Sequence, residues 1–156
     1  MKLVSFLISM VMLLLCAVGA GIADSGSCMV SNGNQMEEVQ KQMKMKIGDT
    51  PVEVAWEDND SVEALMELAA GGLTIRMSMY GGFEQVGAIG ERLPSSDVQT
   101  TTNAGDIVLY SGSQLVVFYG SNSWAYTRLG RITDKSAAEM RELLSRGDVT
   151  ITIYTE

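Results

Sequence analysis

The sequence predicts a mainly β domain: a closed β-barrel of about eight strands with two flanking α-helices, preceded by an N-terminal signal segment. Three observations lead there. Apolar residues between Met43 and Glu156 recur mostly at a spacing of two, and only two stretches show helical spacing, each opened by a capping pattern. An open sheet of that many strands would leave hydrophobic edges bare, and closure removes them. At 156 residues and 46% hydrophobic content, the chain holds one domain with one self-sufficient core.

The apolar run after Lys2, LVSFLISMVMLLLCAVGA, followed by Gly21-Ile22-Ala23, has the form of a secretory signal cut after Ala23. Two other readings stand beside it. Residues 1–23 are also just long enough for an uncleaved membrane anchor. Lipidation at Cys16 or Cys28 is the third, and both cysteines lack the small residues or the Leu that a lipoprotein signal carries. Residues 24–42, mostly Ser, Gly, Asn, Gln, Glu and Met, cannot bury enough apolar surface to order themselves and read as a flexible leader. The barrel domain is expected over residues 43–156. The expected location is exported, extracytoplasmic or secreted, with membrane contact only through the N-terminal segment or a lipid.

Within the domain, Met45 and Ile47 alternate with polar neighbours before Gly48-Asp49-Thr50-Pro51, and Val52, Val54 and Trp56 alternate after it, which predicts a hairpin. Asp60 with Glu63 three residues on predicts a capped helix carrying Val62, Leu65, Met66 and Ala69 on one face and ending at Gly71-Gly72. Leu73, Ile75, Met77 and Met79 then form the core face of a strand that stops at Tyr80-Gly81-Gly82. The turn-rich segment from there to Asn103 is long for a connection, so it is either functional or carries short strands. GDIVLY and QLVVFYG, flanking Ser111-Gly112-Ser113, predict a hairpin whose nearly continuous apolar runs need cover on both faces. AYTRLGRI lies beside it. Ser136 with Glu139 opens the second helix, Met140, Leu143 and Leu144 face inward, and DVTITIYTE is the last strand.

The stretches MSMYGGFEQVGAIGERLPSSD, AGDIVLYSGSQLVVFYGSNSWAYTRLGRI and the closing helix with GDVTITI together resemble the cyclophilin-like domain family, small prokaryotic relatives of the cyclophilin prolyl isomerases. The resemblance covers Met43 to Glu156. It implies the barrel with its two helices but no general activity. Cyclophilins proper are recognised by an Arg, a nearby Phe and Gln, and a Trp and His around an exterior groove. This chain has no histidine, and Phe83 and Gln85 follow Arg76 only across a Gly-Gly break, so the isomerase site does not carry over.

Other chemistry finds little support. A net charge of −8 repels nucleic acid and anionic lipid. The acidic run Glu57 to Asp60 suits a helix start better than a metal, no cofactor is implied, and a Ser or Cys nucleophile would have no histidine base. The glycines at 81–82 and 87–90 read as turns and a bulge. What remains is a concentration of aromatics: five of the ten fall between Tyr110 and Tyr126. Tyr126 and Arg128 share one face of their strand, as Arg76 and Tyr80 share another. Side by side, these faces would form a groove suited to a peptide or a small ligand such as a carboxylate or a sugar, or else simply cover the exterior. The candidate ligand-binding residues are Tyr80, Arg92, Trp124, Tyr126 and Arg128, with Arg76 second; Trp124 reads equally well as a core plug. The expected function is a non-catalytic binding module, the alternative a prolyl isomerase acting on extracytoplasmic proteins.

Overall fold

The computed structural model describes residues 42–156. The expected signal segment, nearly all of the expected leader, Cys16 and Cys28 lie outside the described residues.

The described residues form eleven strands, and the two stretches of helical spacing form two helices. Their order is β1 (Met43–Ile47), β2 (Thr50–Val52), β3 (Val54–Trp56), α1 (Asp60–Ala69), β4 (Leu73–Arg76), β5 (Ser78–Tyr80), β6 (Glu84–Ala88), β7 (Val98–Thr101), β8 (Asp106–Tyr110), β9 (Gln114–Phe118), β10 (Ser123–Ile132), α2 (Ala137–Leu144) and β11 (Thr150–Thr155). All pairings are antiparallel.

The strands do not close into the single barrel that edge burial predicted. They form a four-stranded sheet, β2-β1-β11-β4, and a seven-stranded sheet, β3-β10-β8-β9-β6-β5, with β7 on the first half of β10. The reason lies at two bends. The predicted hairpin arm from Val52 to Trp56 breaks at Glu53, whose N–H donates to Asp134 Oδ1 at 3.0 Å and whose carbonyl accepts from Thr133 N. The predicted strand from Leu73 to Met79 breaks at Met77, whose N–H goes to Val149 O. At each bend loop atoms satisfy the backbone in place of a neighbouring strand, and the chain passes from one sheet to the other. Past the second bend Met79 is exposed, not core-facing as its spacing suggested.

One core fills the space between the sheets. Met45, Ile47, Ile75, Ile151 and Ile153 meet Ile107, Leu109, Leu115, Val117 and Leu129, and the helices add Val62, Leu65, Ala69, Met140 and Leu144. The cap of α1 is Asn59, one residue before the expected Asp60: its side chain accepts from Val62 N and donates to the Arg128 carbonyl. Ser136 and Glu139 form the capping box expected of α2.

Two glycines allow close approach. At Gly130, where the β10–β8 register slips, a methyl group would lie 2.6 Å from the Ala55 carbonyl of β3. At Gly87 it would lie 2.6 Å from the Arg76 carbonyl and crowd Met77 and Ile75, the residues that carry the bend. Gly87→Ala is therefore expected to destabilise the fold by about 1–3 kcal/mol through overpacking. Urea unfolding checks this, as a lowered midpoint with an unchanged slope.

Candidate functional site

Strands β8 and β9 carry two sets of apolar side chains. Ile107, Leu109, Leu115 and Val117 point into the main core, while Val108, Val116 and Phe118 point the other way, where they form a second buried cluster with Tyr126. Phe83 and Val86 pack against its edge. The registers Val86↔Val116 and Val108↔Val116 lay these residues in a row across β6, β9 and β8.

Above this floor lies a groove of about 450 Å³. Tyr80 and Glu84 are cross-strand partners on the β5–β6 hairpin and form one wall; Tyr110, Trp124 and Tyr126 form the other, with Asn122 and Gln114 among the polar lining. That volume is within the usual range for small-ligand sites. Tyr126 is fixed by edge-on contacts with Tyr110 and Phe118, ring centroids 6.1 and 5.7 Å apart, and its hydroxyl accepts from Asn122 Nδ2 at 2.9 Å. Trp124 is 58% exposed, Tyr80 66% and Tyr110 38%. Trp124 is thus a groove wall, not a core plug.

Glu84 is the unusual member. It is only 6% exposed, and its Oε2 is buried without a hydrogen-bond partner. Burial disfavours the charged form and pushes the carboxyl up to about 7. Burial also raises the Tyr126 hydroxyl, and the Glu84 charge adds to that; the Asn122 hydrogen bond opposes it, and Tyr110 raises it slightly further. The adjacent Gln85 faces inward, where its Nε2 donates to the Leu144 and Gly147 carbonyls at 2.7 Å and ties β6 to the end of α2.

Three of the residues proposed from sequence, Tyr80, Trp124 and Tyr126, meet in this groove; Arg76, Arg92 and Arg128 do not line it. Arg128 does share the Tyr126 face, being paired with Val108, but its guanidinium turns aside. Its Nη2 donates to Asp106 Oδ1 at 3.1 Å, and its Nε lies 3.6 Å from Glu57. Asp106, 1% exposed, also accepts from Arg131 Nη1 and from the Asn103 backbone. Arg76 and Arg92 are exposed. Among the described residues, no cluster of three or more His, Cys, Asp or Glu has metal-ligand spacing.

Glu84, Val86, Tyr110, Gln114, Val116 and Asn122 were missed from sequence. The signal for Glu84 was the alternation Glu84, Val86, Ala88 just after Gly81-Gly82, a hairpin pattern that places a carboxylate on the same face as a valine.

The fold is thus a mainly β domain of two sheets and two helices with an aromatic groove on the outer face of the larger sheet. The profile of the Cyclophilin-like family matches residues 45–154, and the chain belongs to that family. No curated protein and no solved structure matches it.

Asp106→Asn, which weakens two guanidinium bonds to a buried carboxylate, should cost about 2 kcal/mol by chemical denaturation while leaving the groove intact. Because folded Glu84 titrates near 7 against 4.5 unfolded, the folded state holds a proton between these values that the unfolded state has lost. Stability should therefore fall as pH rises from about 4.5 to 7, by as much as about 3 kcal/mol. Melting curves across that range should show the slope in the wild type and lose that part of it in Glu84→Gln.

Proposed function

We propose that this domain is an exported binding module and that the groove between Tyr80 and Trp124 is its ligand site. A single observation carries the reading. Elsewhere the described chain buries nearly all of its large apolar groups, yet three of the five exposed ones, Tyr80, Tyr110 and Trp124, gather around one concavity with a rigid floor. Aromatic walls over a packed floor offer broad contact at small entropic cost, with Asn122 and Gln114 as polar anchors. Export rests on the signal-like pattern of residues 1–23.

The isomerase alternative has less support. Twisting a prolyl amide calls for a donor held over the imide, and no arginine lines the groove.

Trp124 supplies the test, since the only other tryptophan, Trp56, is engaged through its Nε1–H with the Met43 carbonyl. A panel of short peptides and small metabolites should include members that change Trp124 fluorescence and stabilise the domain, by about 2.7 kcal/mol at a hundred times Kd. Trp124→Ala should lose that response without lowering stability. In a protease-free proline-peptide assay the protein should not exceed background. Acceleration that Arg76→Ala or Arg92→Ala removes would instead establish the isomerase.

A further inference from the structure

We propose that the ligand of this groove presents an organic cation, an alkylammonium or guanidinium group, with its charge on Glu84 and its body against Tyr80, Tyr110, Tyr126 and Trp124. The inference rests on the groove being the binding site and names the chemistry that the site selects.

Four observations converge on a cation. Glu84 is 6% exposed, and its Oε2 has no hydrogen-bond partner, an arrangement that costs free energy until an opposite charge or a donor arrives. The chain supplies neither. No Lys or Arg lines the groove, and Arg128, which shares the Tyr126 face, is held by Asp106 and Glu57. The walls are aromatic, and the negative faces of aromatic rings attract ammonium and guanidinium groups, the more so when these are stripped of water. Finally, a net charge of −8 draws cations toward the surface and repels anions.

The competing ligand classes fit less well. A carboxylate or phosphate would meet Glu84 with no cation to offset it. A wholly apolar ligand would leave the buried carboxyl oxygen still unpaired.

The site also imposes a pH dependence. The titratable groups facing Glu84 are Tyr80 on β5, Tyr110 on β8 and Tyr126 on β10; none is a cation, and Tyr126 is itself held neutral by burial and by the Glu84 charge. A cationic ligand therefore competes with the proton on Glu84. Its affinity should rise with pH up to about 7, level off above it, and fall up to tenfold per unit below.

The experiment compares charged probes with neutral isosteres on the whole chain, read by Trp124 fluorescence and by chemical shifts. The charged probes are N-acetyl-lysine methylamide, N-acetyl-arginine methylamide and free butylamine; the neutral ones are N-acetyl-norleucine methylamide, N-acetyl-citrulline methylamide and butanol. At pH 8 the cations should bind at least tenfold more tightly than their isosteres. The preference should collapse at pH 5 and in Glu84→Gln, a near-isosteric change that removes the buried charge. If butylamine binds as tightly as the capped lysine, the ligand is a small free amine; if the capped residues bind more tightly, it is a basic side chain on a peptide. Neutral probes that bind as well as the cations, or a preference that survives Glu84→Gln, would overturn the cation assignment while leaving the groove as a binding site. No binding by any charged probe would also overturn it, and the broader panel would then decide the fate of the site itself.

Discussion

Strands β8 and β9 must hide both of their faces, and much of the molecule is arranged around that demand. Ile107, Leu109, Leu115 and Val117 are satisfied by the core between the sheets. Val108, Val116 and Phe118 face away from it and need a second cover, which the first half of β10 provides by laying Tyr126 across them while Phe83 closes one side. That half of β10 is free to do so because its pairing is with β7 and not with β8. The cover stops short of Val86, which is only half-buried, and there, beside Val116, lies the floor of the groove.

The two buried carboxylates among the described residues, Asp106 and Glu84, show how neighbourhood sets the role of a charge. Asp106 is as buried as any core residue, yet it accepts three hydrogen bonds, two from guanidinium groups, and so anchors β8 to β10. Glu84 receives no such help at Oε2, and burial alone governs its titration. A stabilising group would ordinarily be conscripted from nearby, but Asp106 and Glu57 have already engaged Arg128. The fold thus keeps an uncompensated carboxyl beside four aromatic rings.

What the sequence revealed, and where it stopped, follows from the range of the forces involved. Strand periodicity, the capping box at Ser136 and the double-faced burial of the hairpin around Gly112 are local signals, and all three are present in the structure. The bends at Glu53 and Met77 are not local. They depend on Asp134, Thr133 and Val149, which lie far along the chain, so two strands that looked straight became four and the barrel became two sheets. The same distinction divides the site. Tyr80 and Trp124 were legible as aromatics beside glycine- and serine-rich turns, and Tyr126 as an aromatic on the outward face of its strand. Arg128 was misplaced because its partner Asp106 could be recognised only through strand pairing, and Glu84 was hidden inside a segment whose glycines, serines and Pro94 read as loop.

The first and last described residues bond to each other in both directions, Gln42 N to Glu156 O at 2.9 Å and Glu156 N to Gln42 O at 3.0 Å. With β1 and β11 adjacent throughout, the domain is topologically almost a loop. A linker of a few residues could join these points, and the polypeptide could be opened instead at an exposed turn such as Gly81-Gly82, so circular permutation offers a route to labelling the groove's edge from a newly made terminus.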